Sequence, residues 1–368
     1  MEKKQILIVA PPFIPVSKDS VAGIEQMAYS LGRALTEKGH YVYTIARDDS
    51  YVYGNLYAGG FYNMHAFPGA ELEHFHQSMA YTTSVVRDCI KNQSIEVIID
   101  KCQGVSLMAG LEEQDRIQER GIKVISALHM APKYYIHPRL FKLIKPALEE
   151  SHLSSFVAVS NHIAEKYIKE LGINQENMHV VHNGIITENF SFSDNHQDYL
   201  LFLGRVRKAK APHLAIKAAK DSGNRIVIAG GNIPGTNDAQ YEDRAYFEHE
   251  IEPLLSKDVE WFGPADLRQK VELMKNAKAL LFTSIETEAF PLTPLEAMAC
   301  GTPVVAFRQS KGPKESIIDG ETGFLADSYD ELVHGIGDIG KIDRKKCREH
   351  VEKHFNYKRM AEGFEKLF

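Results

Sequence analysis

The stretch ITENFSFSDNHQDYLLFLG (186–204) changes character in its middle. Residues 186–199 are polar, irregular and rich in Asn, Asp and Ser, as a connection between folded units is. From YLLFLG (199–204) onward the chain reads as buried strand again. Upstream, QILIVA (5–10), YVYTIA (41–46), IEVIID (95–100), IKVISAL (122–128), FVAVS (156–160) and MHVVH (178–182) are short apolar runs. Downstream come RIVIAGG (225–231), VEWFG (259–263), ALLFTS (279–284) and PVVAF (303–307). Helical patterns separate several of them, as in GIEQMAYSLGRALTEKG (23–39), where Ile24, Met27, Leu31 and Leu35 follow the helical period. Strands apolar on both faces, alternating with helices, require parallel sheets covered on both sides. One interruption in that alternation predicts two Rossmann-like α/β domains facing a central cleft. Ligands are then expected at the carboxyl ends of the strands.

Composition agrees with this. The chain has 368 residues, too many for one ordinary core, with 44% apolar and 25% charged side chains. A net charge of −6 argues against nucleic acid as the main partner. Cys89, Cys102, Cys300 and Cys347 show no metal-ligand spacing and read as reduced thiols. The apolar N-terminal run is broken by Pro11 and Pro12 and reads as a first strand, not a leader. No run approaches the roughly 20 apolar residues of a membrane span. These features point to a cytoplasmic protein. The segment KYYIHPRLFKLIKPALEE (133–150) carries Lys133, Arg139, Lys142 and Lys145 among apolar side chains. It has two readings, a helix packed on the first domain or a segment resting on anionic lipid, which would make the protein membrane-peripheral.

GxGxxG occurs only as GIGDIG (335–340), which follows the polar run DSYDELVH and not a strand, and this context argues against a nicotinamide or flavin site. In FLGRVRKAKAPHLAIKAA (202–219), Arg205, Arg207, Lys208 and Lys210 follow a strand directly, and Pro212 opens a helix. Cations there suit a diphosphate as well as they suit plain solvent. In SKDSVAGIEQ (17–26), Gly23 would let a ligand approach a helix N-terminus, unless Asp19 or Ser20 simply caps it. His129 follows a strand, where an imidazole can donate to a sugar hydroxyl. Finally, ETEAFPLTPLEAMACGTPVVA (286–306) sets Glu288 in a loop after a strand and Glu296 near the start of a helix, eight positions on. Glu296 either complements that helix dipole, or the two acids bind different hydroxyls of one polyol.

Together these motifs resemble the retaining GT-B glycosyltransferases of family four, over nearly the whole chain. Glu288 and Glu296 fit the family's paired glutamates, and Arg205 and Lys210 its Arg-x4-Lys pair. VAGIEQMAYSLGRALTEKGHYV looks like its first loop and helix, VHNGI (181–185) like the segment before its hinge, and GPKESIIDGETGFL (312–325) like its late loop. FNYKRMAEGFEKLF (355–368) is similar to its final helix, which returns to the first domain. The resemblance implies an acceptor-binding domain over 1–190, completed by 355–368, and a nucleotide-sugar domain over 191–354. Glu296 would hold the ribose, Glu288 the transferred sugar, and Arg205 and Lys210 the diphosphate. His129 would contact the sugar. Gly23, Phe290, Leu292 and Thr293 would line the donor site, with main-chain amides on phosphate.

No metal or cofactor is implied beyond the nucleotide-diphosphate sugar itself, and uridine is the commonest base in the family. The acceptor, whether saccharide, lipid-linked or small molecule, is not legible, nor is the oligomeric state. Two departures stand out: Pro291 where the family usually has Gly, and Ala22 for the first of two loop glycines. A non-catalytic partner subunit and a nucleotide-sugar epimerase of the same fold are the alternative readings.

Overall fold

The computed structural model describes residues 2–20, 22–58, 71–102, 113–132, 154–231 and 243–368. The segment 133–150, with its two readings, lies outside these residues. The chain divides into two units, residues 1–184 with 357–368, and residues 185–356.

The first unit is built on β1 (Gln5–Val9), β2 (Tyr41–Ala46), β3 (Asn55–Ala58), β4 (Val97–Asp100), β5 (Lys123–Leu128), β6 (Ser154–Ala158) and β7 (Met178–Val180). They form one parallel sheet in the order β3-β2-β1-β4-β5-β6-β7. Helices α1 (Gly23–Glu37), α2 (Glu71–Asn92), α3 (Gln114–Arg120) and α4 (Asn161–Leu171) connect them. Ile6, Leu7, Ile8 and Val9 are all 0% exposed, as a central strand covered on both faces demands. The strand order reverses between β1 and β4, the switch point where loops diverge and ligands lodge.

The second unit repeats the plan with β8 (Leu200–Leu203), β9 (Ile226–Ala229), β10 (Val259–Gly263), β11 (Ala279–Phe282), β12 (Val304–Phe307) and β13 (Gly323–Ala326). Their parallel order is β10-β9-β8-β11-β12-β13, which places the switch point between β8 and β11. Helices α5 (Pro212–Asp221), α6 (Leu267–Asn276), α7 (Leu292–Ala299), α8 (Tyr329–Asp338) and α9 (Arg344–His354) surround the sheet. Both sheets are of the expected α/β, doubly wound type. The polar stretch after residue 185 is laced to the second unit: Ser193 N–H donates to Cys300 O and Gln197 N–H to Asn276 O.

The final helix, α10 (Tyr357–Glu365), packs on α1 of the first unit. Tyr357 Oη donates to Glu37 at 2.8 Å. Buried Glu365 meets Lys38 Nζ at 2.9 Å and His40 Nε2 at 3.1 Å. Burial pushes the Glu365 carboxyl up, and these two bonds outweigh it and hold the carboxyl below its ordinary value. A depressed carboxyl contributes stability above the unfolded-state value and loses it as pH falls through the folded one. Glu365→Gln is expected to cost roughly 1.5–3 kcal/mol at pH 7. The melting-temperature gap to the parent should close as pH falls below the carboxylate range. A gap independent of pH would refute this charge-based anchoring of α10.

Candidate functional site

At the second unit's switch point, the loop after β8 is fixed by the loop after β11. Ile285 N–H donates to Ala209 O at 2.9 Å, and Thr283 Oγ1 donates to Ala211 O at 2.9 Å and Lys210 O at 3.2 Å. Ala211 precedes Pro212, where the right-handed helical region is sterically closed. It adopts φ 51° and ψ 51°, a left-handed conformation costly for alanine, which these cross-loop bonds enforce. The outcome is a defined place for Lys210. Its Nζ lies 2.5 Å from Glu288 Oε1, and Ser284 Oγ donates to the same oxygen at 2.7 Å.

Arg205 lies on the same loop and reaches solvent. Partial burial lowers its guanidinium somewhat, Arg207 adds to this, and Glu288 among others opposes it. It stays cationic at any physiological pH. Arg207 pairs with Glu286 at 3.4 Å on the exposed rim.

Glu288 is pinned from its other side. Its N–H donates to Ser310 O at 2.8 Å and it bridges Lys311, the other non-glycine residue with positive φ among the described residues, at 62°. Strained residues on both flanks of one carboxylate are a signature of a site whose surroundings over-determine it. The proline that departs from the family pattern is accommodated here. A Cβ on Gly312 would stand 2.5 Å from Pro291 Cδ and 2.8 Å from Glu288 O, so only glycine fits against Pro291. Pro291 is the N-cap of α7, at φ −70° and ψ 138°. Its missing N–H therefore falls outside the first-turn donors. No side chain caps α7, and Pro294 has no N–H, so Leu292 and Thr293 supply the amides available to an anion. The Phe290 side chain is buried and packs against Phe355 with the rings tilted, centroids 5.7 Å apart. It belongs to the core.

Glu296 lies beyond the first turn of α7 and is 3% exposed. The acid expected near the start of this helix thus sits just past its first turn, where the helix-dipole account weakens. Its Oε2 lies 2.9 Å from Lys270 Nζ on α6. Asp266 caps α6 in a reciprocal box with Gln269. Helix α9 then fixes the far ends of both helices. Buried Arg344 donates to Lys275 O in the last turn of α6 and to Ala277 O at its C-cap, and Arg348 to Ala299 O at the end of α7. Cations at helix carboxyl ends are favourable and satisfy carbonyls that would otherwise lack partners.

The first unit holds a second cluster at its own switch point. Gly23 opens α1, whose N-cap is Ala22 with no side-chain cap. Ser20, one expected cap, instead donates to Pro15 O and accepts from Ser17 N–H. Glu25, in the first turn, is buried, and burial raises its carboxyl to about 7. Beyond β4, Lys101 is fully buried and desolvation brings its ammonium down to about 7. Its Nζ lies 3.3 Å from His129 Nε2, beyond β5, and 5.2 Å from the Phe364 ring centroid. Burial and the Lys101 charge hold His129 well below its ordinary value. A neutral imidazole accepting at Nε2 carries its proton on Nδ1.

The structure thus brings Lys210 and Glu288 together in the second unit, with Arg205, Leu292, Thr293 and Glu296 on neighbouring elements. It places Gly23 and His129 in the first. Sequence reasoning missed Lys101 and Lys270. The signal for Lys101 was a lysine directly after a strand that ends on the apolar run Val97–Ile99 and Asp100. Lys270 carried none, because its partner is set only by helix packing. Among the described residues no cluster of His, Cys, Asp and Glu could hold a metal ion, and no helix is long and apolar enough to cross a membrane.

Two family models match. Residues 21–189 fit Glycosyltransferase Family 4 and residues 186–354 fit Glycosyl transferases group 1. The chain is 35% identical over 135 residues to the D-inositol 3-phosphate glycosyltransferase of Mycolicibacterium smegmatis, a match covering 36% of this chain and 30% of that one. The homologous enzyme of Acidothermus cellulolyticus is 31% identical over 152 residues, covering 39% and 33%. These matches therefore span about a third of the curated relatives' length. Among solved structures, sucrose-phosphate synthase of Thermosynechococcus elongatus superposes with a TM-score of 0.75 at 19% identity, covering 99% of this chain and 98% of that one. Anabaena HepE in complex with UDP gives 0.72 at 16% identity, with the same coverage. With both halves matched and two doubly wound sheets of this topology, the chain belongs to the group 1 glycosyltransferases of the two-domain, Rossmann-like GT-B fold.

Proposed function

We propose that the protein moves a sugar from a nucleoside diphosphate sugar to an acceptor hydroxyl with retention of configuration. The observation that carries this is the meeting of Lys210 and Glu288 at the β8/β11 switch point, 2.5 Å apart, beside the uncapped start of α7. A diphosphate needs cations and free amides, and a sugar needs a fixed carboxylate next to them. In this reading Lys210, Arg205 and the Leu292 and Thr293 amides receive the diphosphate. Glu288 accepts from sugar hydroxyls and Glu296 from the ribose. Side-chain cations thus do the electrostatic work at the leaving group, and we assign no metal to it. The second unit binds the donor, and the first, which carries His129, binds the acceptor.

The chemical step breaks the bond from the anomeric carbon to the diphosphate oxygen and forms one to the acceptor oxygen. The acceptor's proton passes to the departing diphosphate on the same face, so no side-chain nucleophile is required. Lys210 and Arg205 lower the barrier most, because negative charge grows beside them as the bond breaks. A cytoplasmic setting suits such a donor.

UDP is the first base to test, on the resemblance to the family. Thermal shift with UDP, GDP, ADP and TDP, followed by the matching sugars, checks the donor reading. One nucleotide should raise the melting temperature, and Lys210→Ala should abolish the rise. Silence with all four would defeat the donor assignment. Conversion of the sugar donor to its epimer without any acceptor would favour an epimerase.

A further inference from the structure

Each of the two glutamates assigned above faces a lysine. For Glu288 it is Lys210, already given to the diphosphate. For Glu296 it is Lys270, which has no assigned task. Glu296 is 3% exposed, and its Oε2 is sealed from solvent without a hydrogen bond of acceptable angle, at 2.9 Å from the Lys270 ammonium. A carboxylate buried to this degree needs a positive partner to stay in place. Lys270 is the one cation within ion-pairing distance among the described residues. Arg344 and Arg348 on α9 and Lys275 on α6 act instead on Cys300, at the far end of α7. Lys270 itself is held by the capping box that starts α6 and by the Arg344 bonds that finish it. Two helices clamped at their carboxyl ends by one third helix fix the lysine and the glutamate relative to each other.

We propose that Lys270 is a positioning residue of the ribose subsite. By engaging Oε2 it fixes the Glu296 carboxylate so that Oε1 accepts from the ribose hydroxyls. This rests on the assignment of Glu296 to the ribose. Lys270 acts through Glu296 and need not touch the ligand, as supporting residues behind a binding group do. Its effect should therefore appear only with ligands that carry the hydroxyls.

The experiment is calorimetric titration with UDP and with 2′,3′-dideoxy-UDP, or the guanosine pair if the thermal screen selects GDP. The proteins are the parent, Lys270→Met, Lys270→Arg, Glu296→Gln and the Lys270→Met/Glu296→Gln double variant, each checked by melting temperature. The parent should favour UDP over its dideoxy analogue by roughly tenfold or more. Lys270→Met should lose most of that preference by binding UDP more weakly, with the dideoxy analogue unchanged. Lys270→Arg should restore it, and Lys270→Met should cost nothing further in the Glu296→Gln background. If Glu296→Gln loses the preference and Lys270→Met keeps it, the role of Lys270 is overturned and the ribose assignment survives. Equal weakening of both ligands, or tighter UDP binding, also overturns it, pointing to general packing or to competition for the carboxylate. If Glu296→Gln keeps the preference, the ribose assignment falls and this proposal with it. Should Lys270→Met fail to fold, Lys270→Gln and Lys270→Arg give the same comparison.

Discussion

Glu288→Gln should bind free UDP no more weakly than the parent, while its transfer rate falls by on the order of a hundredfold or more. Glu296→Gln should show the reverse emphasis, with free-nucleotide affinity down roughly tenfold. On the proposed function the two acids meet different parts of one ligand. Glu296 would face the portion shared by every nucleotide, so its loss should appear in binding. Glu288 would face the sugar, whose orientation and charge matter most as the anomeric bond breaks. The geometry sharpens the expectation for Glu288. Its Oε1 holds Lys210 at 2.5 Å, so neutralising it releases that lysine toward the diphosphate. Affinity is thus expected to hold steady or rise several-fold. The measurement is calorimetry with UDP beside the transfer rate, with donor hydrolysis standing in until an acceptor is found. Equal losses of nucleotide affinity in both variants would show that the acids do not divide the work. Normal affinity and turnover in both would return them to purely structural roles.

Lys101→Met should make the protein more stable and less active. A lysine ordinarily near 10.5 that burial brings to about 7 must be charged, at and below neutral pH, in an apolar setting. At about 1.4 kcal/mol per pH unit this caps the penalty at roughly 5 kcal/mol. The His129 bond and the Phe364 ring recover part of it. Here the folded state releases its proton before the unfolded chain does. The parent therefore gains stability as pH rises from about 7 toward the unfolded-state value. The melting-temperature advantage of Lys101→Met should be largest at pH 7 or below and vanish near pH 10. Activity should fall because His129 loses the Lys101 contact that holds its ring in place. A variant less stable than the parent at pH 7 would refute the account of a costly buried charge. One that is stabilised but fully active would remove Lys101 from the site.

The sequence by itself determined the two α/β units, because a strand buried on both faces must be apolar throughout and a helix between strands must show its own period. Eleven strands could be read that way. Two others escaped for local reasons. β3 is a short edge strand with partly exposed side chains, and β13 starts at Gly323 inside what reads as a loop. Glu288 and the Arg-x4-Lys motif were legible because they lie in the loops that directly follow β11 and β8, and Glu296 because it sits at a fixed spacing from Glu288 in the helical run that comes next. Their partners were not. Lys210 and Glu288 are 78 positions apart, and Lys101 and His129 are 28 apart. Which lysine meets which acid depends on β8 lying beside β11 and on α9 fixing α6 against α7. Strand order and helix packing are set by the sum of many small burial terms spread over the whole chain. No local pattern records that sum, so only the tertiary structure could decide that Glu296 is a buried carboxylate held by Lys270.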